Sequence, residues 1–167
     1  NPAMRMRHWA TLFERLGLPL EQKSSQILLS LDELGSMGVL EHPDLIQEVS
    51  GHASGEYQLY LALEKIDQTW QRTEFSIGQY KDHDEVAVLH EVDDIVLTVE
   101  DNLITLSNML GSKYIATIRD DVESMESKLL LLSEVVDEWV QMQQTWLYLE
   151  PIFGQPDIKQ QLPREGE

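Results

Sequence analysis

Nine apolar residues recur at alternating steps of three and four through the last third of this chain. They are Ile115, Ile118, Val122, Met125, Leu129, Leu132, Val136, Trp139 and Trp146, and only Gln143 breaks the series. An α-helix turns once per 3.6 residues, so this spacing lays all of them along one face. The spacing predicts a helix over 113–150, about 50 Å from Ile115 to Glu150 at 1.5 Å per residue. A strut of that length suits a part that carries shape and force across a distance better than one that encloses a reaction. Leu131, Val135 and Met142 form a second stripe, which predicts that the middle of the strut packs on two sides.

The rest of the chain reads as shorter helices around one small hairpin. Asn1-Pro2 reads as a capped start for a helix from Ala3 to Leu16, with Met6, Trp9, Phe13 and Leu16 inward and Gly17 and Pro19 ending it. Ile27, Leu28, Leu31 and Leu34 suggest a further short helix before Gly35 and Gly38, so 1–38 holds short helices. Pro43 opens a helix over 43–72 with Leu45, Val49, Leu59, Leu63, Ile66 and Trp70 on its buried stripe. Gly51 and Gly55 each cost that helix about 1 kcal/mol relative to Ala, which predicts a frayed first half, or else close approach of a neighbour. The period then shifts to two: Phe75 and Ile77, a polar turn at Lys81 to Glu85, then Val86, Val88 and His90, a hairpin over 73–90. An isolated hairpin is marginal in water, so it must pack on a helix. Val92, Val96, Val99, Leu103, Leu106 and Leu110 restore the helical period over 91–110, and 151–167 reads as an extended tail. The expected fold is mainly α: one structural unit, an elongated antiparallel helical bundle with a small β-hairpin and a long C-terminal helix.

Charge narrows the partners. The net charge is −18 over 167 residues, with a sequence pI near 4.4, so nucleic acid and anionic membranes are poor partners. From Asp82 to Ser112 there are acidic residues and no Lys or Arg. That stretch either faces a basic partner or forms a solvated acidic face. There is no cysteine, which excludes disulfides and thiolate chemistry. No apolar run reaches the roughly 20 residues of a membrane span. Neither end reads as a native terminus, and both are expected to continue into a longer chain.

The motifs of catalysis are missing. No Gly-rich loop carries the Lys-Ser/Thr pair that grips phosphate and magnesium. His8, His42, His52, His83 and His90 never pair at metal-binding spacing, and His90-Glu91 is followed by Asp94 where a zinc-protease helix needs its second His. Glu48 and His52, four apart, read as a surface ion pair or no pair at all. Asp82 to Glu85 lacks the Gly and final Glu of a calcium loop and reads as a solvated turn. Trp9, Trp70, Trp139 and Trp146 sit on apolar faces and read as core. The residues alone describe an acidic helical module without an active site. An unrecognised metal enzyme or hydrolase is the least supported reading.

Several segments resemble the linker region of dynein heavy chains, just before the motor's ring of ATPase modules. They are Asn1-Pro2-Ala3 with Arg7-His8-Trp9; Trp70 followed by Phe75 and Tyr80; Gly111-Ser112; and Ser133-Glu134-Val135-Val136-Asp137-Glu138-Trp139. This last run leads into the longest and most specific element, Trp146-Leu147-Tyr148-Leu149-Glu150-Pro151-Ile152-Phe153, followed by Asp157-Ile158 and Leu162-Pro163. The Leu-Glu-Pro form looks axonemal rather than cytoplasmic. The resemblance implies a helical bundle with a small hairpin that arches over the AAA+ ring and bends and straightens as the ring cycles. It implies no catalytic, cofactor or metal residue here, with ATP and Mg bound elsewhere in the parent chain. The implied partners are the AAA+ ring modules of the same heavy chain and other dynein subunits, with microtubules reached only indirectly. The implied location is the cytoskeleton, in a ciliary or flagellar axoneme. Trp139, Trp146, Leu147, Tyr148, Leu149 and Phe153 should hold the long helix, Pro151 should end it, and Arg7, His8 and Trp9 should pin the first helix. The alternative is an acidic helical binding module that docks on a basic partner or regulator.

Overall fold

The computed structural model describes residues 1–19, 30–81, 83–155 and 157, with the side chains of 83–85 excepted. Five α-helices and one antiparallel hairpin follow in order: α1 (Met6–Arg15), α2 (Leu31–Ser36), α3 (Pro43–Trp70), β1 (Ser76–Tyr80), β2 (His83–His90), α4 (Val92–Leu110) and α5 (Arg119–Phe153). The mainly helical class, the hairpin and the long last helix agree with the sequence reading. Contacts group the chain into two compact units: Asn1–Asp67 with Met109–Arg119, and Gln68–Asn108 with Asp120–Glu167. No helix among the described residues is long and apolar enough to cross a membrane.

In the first unit α1 begins at Met6, later than the Ala3 expected from Asn1-Pro2. The Asn1 side chain is spent elsewhere. Its Oδ1 accepts the Ala3 N–H at 3.0 Å, and its Nδ2 donates to Ser50 O (2.9 Å), Ser50 Oγ (2.7 Å) and Ser54 Oγ (2.9 Å) on α3. Asn1 therefore ties the first residues to α3 instead of capping α1. At its other end α1 closes as a Schellman turn: Leu18 N–H bonds Phe13 O, Gly17 N–H bonds Glu14 O, and Gly17 takes φ +66°. Leu12 and Phe13 of α1 are buried with Val39 and Val49, and Trp9, Leu45 and Ile46 pack around them. Of the second predicted short helix, Ile27 and Leu28 lie outside the described residues. Leu31 and Leu34 fall in α2, which Ser30 and Glu33 open as a capping box.

Helix α3 is continuous from Pro43, with no break in its first half. Its buried face is Val49, Ala53, Glu56 and Ile66, so a small residue and an acid fill the stretch between Val49 and Leu59 where the predicted stripe had no member. Gly55 explains the continuity. The Tyr114 ring lies where a side chain would go, and a Cβ on Gly55 would sit 2.4–2.6 Å from three of its carbons. The close neighbour is thus an aromatic ring from the loop after α4.

In the second unit, Ile77 pairs with Leu89, Gly78 with Val88 and Gln79 with Ala87 before the register slips, so that Tyr80 faces His83. Lys81 (φ +51°) turns the hairpin, and Glu91 (φ +53°) turns β2 into α4. Both are non-glycine residues in the left-handed region, an arrangement held only where surroundings impose it. Helix α4 buries Ile95, Val99, Leu106 and Met109, a face rotated slightly from the predicted one.

Helix α5 starts at Arg119, six residues after the predicted start. Ile115–Thr117 is instead a 3-10 turn, with Ile115 N–H bonded to Ser112 O at 3.3 Å and Ile118 N–H to Ile115 O at 3.0 Å. The helix also runs through Pro151 to Phe153, so Pro151 does not end it. In the last turn, Pro forfeits only the N–H that would have met Leu147 O. The next bond, Gly154 N–H to Glu150 O at 2.8 Å, is intact. Of the extended tail predicted from 151, Pro156, Ile158 and 159–167, including Leu162-Pro163, lie outside the described residues. Along the seam, Val122, Leu129 and Val136 are buried, whereas Trp139 is 48% exposed. Leu131, Val135 and Met142 are likewise exposed, so packing on two sides is not found among the described residues. Periodicity fixes which residues share a face; it does not supply the neighbour that covers it.

The two glycines of α3 should respond oppositely to alanine. Gly51 faces open space, so Gly51→Ala should stabilise by about 0.5–1 kcal/mol. Gly55→Ala should lose about 1–3 kcal/mol, because overpacking against Tyr114 outweighs the helix preference. Urea denaturation of both variants measures the difference.

Candidate functional site

The residue that breaks the α5 seam is where the hairpin is fastened. Gln143 occupies a seam position with a half-buried side-chain amide, and polar groups withdrawn from water need partners. It finds both on one residue. Leu89 N–H donates to Gln143 Oε1 at 2.7 Å, and Gln143 Nε2 donates to Leu89 O at 2.9 Å. The amide thus bonds β2 as a further strand would. Two turns along α5, Glu150 makes a second fastening. Tyr80 Oη donates to its Oε2 at 2.9 Å, and Lys81 Nζ to the same oxygen at 2.8 Å. The Tyr80 ring meets Trp146 edge-on at 4.9 Å, and Lys81 Nζ lies 4.5 Å from the Tyr80 ring centre. Glu150 raises the Lys81 ammonium above its ordinary range, chiefly through the hydrogen bond. These contacts supply the helical support that a two-stranded hairpin requires.

The first unit has a comparable fastening centred on Glu56, a buried acid at a stripe position of α3. Arg7 donates to Glu56 Oε2 through both Nε (3.1 Å) and Nη2. His8 Nε2 lies 3.0 Å from the same oxygen, and His52 Nδ1 lies 3.3 Å from Oε1. Burial alone would raise the Glu56 carboxyl. Hydrogen bonds from Arg7 and then His8, with their charge, outweigh burial and hold it below its usual range. His8 is itself fixed, because the Arg5 N–H donates to its Nδ1 at 2.9 Å. The neutral ring must therefore carry its proton on Nε2, facing Glu56. The Glu48–His52 pair read from spacing is not formed: Glu48 bonds Arg15 at 2.7 Å, and His52 turns to Glu56 and stacks edge-on against Tyr114.

His8, His52 and Glu56 offer ligand atoms that all lie within 4.8 Å of one another, a grouping hidden from spacing because His8 comes from another helix. Two imidazoles and a carboxylate are a donor set that zinc accepts. Here the donors are committed. A metal on His8 Nε2 would force a proton onto Nδ1, against the Arg5 N–H, and the Arg7 guanidinium already holds the carboxylate. The chemistry is that of an ion-pair hub. Beside it opens a cleft of 270 Å³ lined by Arg5, Arg7, Ala53, Tyr57, Tyr60 and Ile118, among others.

The residues of the family motif fall into these two places without forming one site. Arg7 and His8 meet at Glu56, and Trp9 stacks edge-on against Phe13 at 6.4 Å. Trp146 and Glu150 meet the hairpin. Leu147 and Phe153 are half-buried, Leu149 and Pro151 are exposed, and Tyr148 is 72% exposed. Trp70 is half-buried, and its indole N–H is buried with no partner among the described residues. Gln143 stood out in the sequence only as a break in the seam, with no role attached, and Glu56 and Tyr114 were not singled out at all. The signal for the first two was a polar residue at an apolar position of a helical stripe.

All 167 residues match the family described as dynein heavy chain, N-terminal region 2. The chain is 35% identical over its full length to human dynein axonemal heavy chain 6 and 36% identical over its full length to mouse dynein axonemal heavy chain 3. It is 36% identical over 98% of its length to human dynein axonemal heavy chain 12. It spans only 4–5% of the length of these relatives.

Two outcomes follow from the fastenings. Gln143→Leu restores an apolar seam but orphans both backbone groups of Leu89. It should cost about 1–3 kcal/mol, with the Leu89 amide losing hydrogen-exchange protection. The depressed Glu56 carboxyl contributes stability that is fully present above its unfolded value near 4.5 and is lost as pH falls through the lower folded value. Thermal melts between pH 6 and pH 3 should show this acid loss in the parent and a flatter profile in Glu56→Gln.

Proposed function

Because the chain belongs to the N-terminal region 2 family of dynein heavy chains, of axonemal type, we propose that it is a load-bearing segment of the motor's linker. In this reading it works as a lever: it moves with the AAA+ ring of its own heavy chain and passes that motion on, without binding or hydrolysing nucleotide. ATP and Mg belong to the ring, and microtubules are engaged elsewhere in the parent chain, within a ciliary or flagellar axoneme. The observation that carries the reading is the fastened hairpin on α5. A helix of 35 residues, about 52 Å at 1.5 Å per residue, is held to a hairpin at Gln143 and again at Glu150. Fastening at two points opposes both sliding and rotation of the hairpin along the helix, as a part that transmits force requires.

A second reading draws on α4, where Asp93, Asp94, Glu100 and Asp101 are all exposed. Such a face suits docking on a basic subunit or regulator, and the two roles are compatible. Salt-dependent capture by a candidate subunit, abolished when these four are changed to Asn or Gln, supports it.

The lever reading is tested in the full heavy chain. Glu134 is exposed in the middle of α5, and Glu134→Pro removes one helical bond and clashes with the preceding turn, at about 3 kcal/mol or more. Once circular dichroism shows the variant folded, microtubule gliding should slow several-fold while basal ATP turnover falls much less. Equal losses would favour a regulatory contact over a mechanical part, and unchanged gliding would remove α5 from the path of force.

A further inference from the structure

We infer that the cleft beside Glu56 binds the carboxylate of a Glu or Asp side chain presented by an acidic segment of a partner protein. The cleft brings two arginines together in a chain that carries only 12 Lys and Arg against 30 Asp and Glu. Arg7 is preorganised. Its Nε and Nη2 are held by a buried carboxylate, while its side chain is 51% exposed. The remaining N–H groups of its guanidinium have no partner among the described residues. A guanidinium with five donors in a rigid fork, already fixed at one edge, loses little freedom on accepting a carboxylate at another. Arg5 at the same cleft is exposed and forms no ion pair among the described residues.

Charge and shape choose among anions. Arg5 and Arg7 against Glu56 leave one net positive charge, which matches a carboxylate. A phosphate of charge near −2 would remain short of compensation and would face Glu56 itself. The lining also includes Ala53, fully buried, with Tyr57, Ile118 and the half-exposed Tyr60. Apolar and aromatic lining beside two guanidinium groups fits a side chain with an aliphatic stem and an ionised end. At 270 Å³ the cleft is smaller than the usual small-molecule pocket of about 300–1,000 Å³. A free small acid would bury little surface there, whereas a peptide can also lie across the Tyr60 ring.

The inference stands apart from the lever reading, and its test needs only this chain. The isotope-labelled protein is titrated with a Glu-rich peptide at low salt. Three further titrants serve as comparisons: the peptide with Gln replacing Glu, the peptide with phosphoserine replacing Glu, and sodium acetate. Shifts confined to the Arg5 and Arg7 Nε signals and the Tyr57 and Tyr60 amides, fading with salt, are expected from the Glu peptide alone. Arg5→Glu should weaken binding at least about tenfold, the scale of one lost charge-assisted bond. Tyr60→Ala, at an exposed ring, should weaken it while leaving the circular dichroism spectrum unchanged. Equal binding of the Gln peptide, tighter binding of the phosphoserine peptide, or acetate shifts at matching carboxylate concentration would each overturn the proposal. So would a well-folded Arg5→Glu variant that binds as the parent does. If Arg5→Glu fails to fold, Tyr60→Ala and the peptide comparison decide.

Discussion

The second unit depends on one side-chain amide. A two-stranded hairpin cannot hold itself in water, and among the described residues β1 and β2 form a sheet of two strands. Gln143 supplies what a third strand would have supplied, a donor and an acceptor at the right separation for one peptide unit. Because Leu89 is then fixed on α5, the hairpin turn reaches Glu150, and the paired Tyr80 and Lys81 contacts become possible. The left-handed backbone at Lys81 and Glu91 brackets β2 at both ends, as expected where fixed contacts and not local preference set the path of the chain.

The first unit solves the same problem with charge. Glu56 stands where an apolar residue would have packed, and its burial is tolerated because three nitrogen-bearing side chains converge on it. A buried acid with its partners removed is far worse than no acid, so this arrangement contributes selectivity more surely than net stability. Arg7, His8 and His52 can meet at that carboxylate only when α1 lies in one register along α3. A slip by one residue would strand the charge.

Much of this was legible in the sequence because it follows from period alone. The alternation around Phe75 to His90 gave the hairpin, and the steps of three and four gave α5. The ends of α5 were not legible. Ser112 to Ile118 closes a 3-10 turn through local carbonyls that no periodicity records, and Pro151 is tolerated because it falls in the last turn. The glycines of α3 were ambiguous for the same kind of reason. A glycine reports that space is needed, and only the fold shows that Tyr114 takes it at Gly55 while nothing takes it at Gly51. The histidines were dismissed on spacing within one helix, yet His8 and His52 converge from α1 and α3. Gln143 read only as an interruption and Glu56 drew no notice, and each proved to be where another element is attached.

The fastening of the hairpin also has a consequence in time. Leu89 and Gln143 are separated by 54 residues, and Tyr80 and Glu150 by 70. At a synthesis rate of about 5–20 residues per second, the ribosome takes roughly 3–12 s to pass from His90, where the hairpin ends, to Glu150. Throughout that interval the nascent hairpin is made but has nothing to hold it, with Ile77 and two unpaired strand edges open to neighbours. The polar turn and the acids of α4, which emerge next, are well placed to keep this unfinished segment from associating with other chains until α5 arrives.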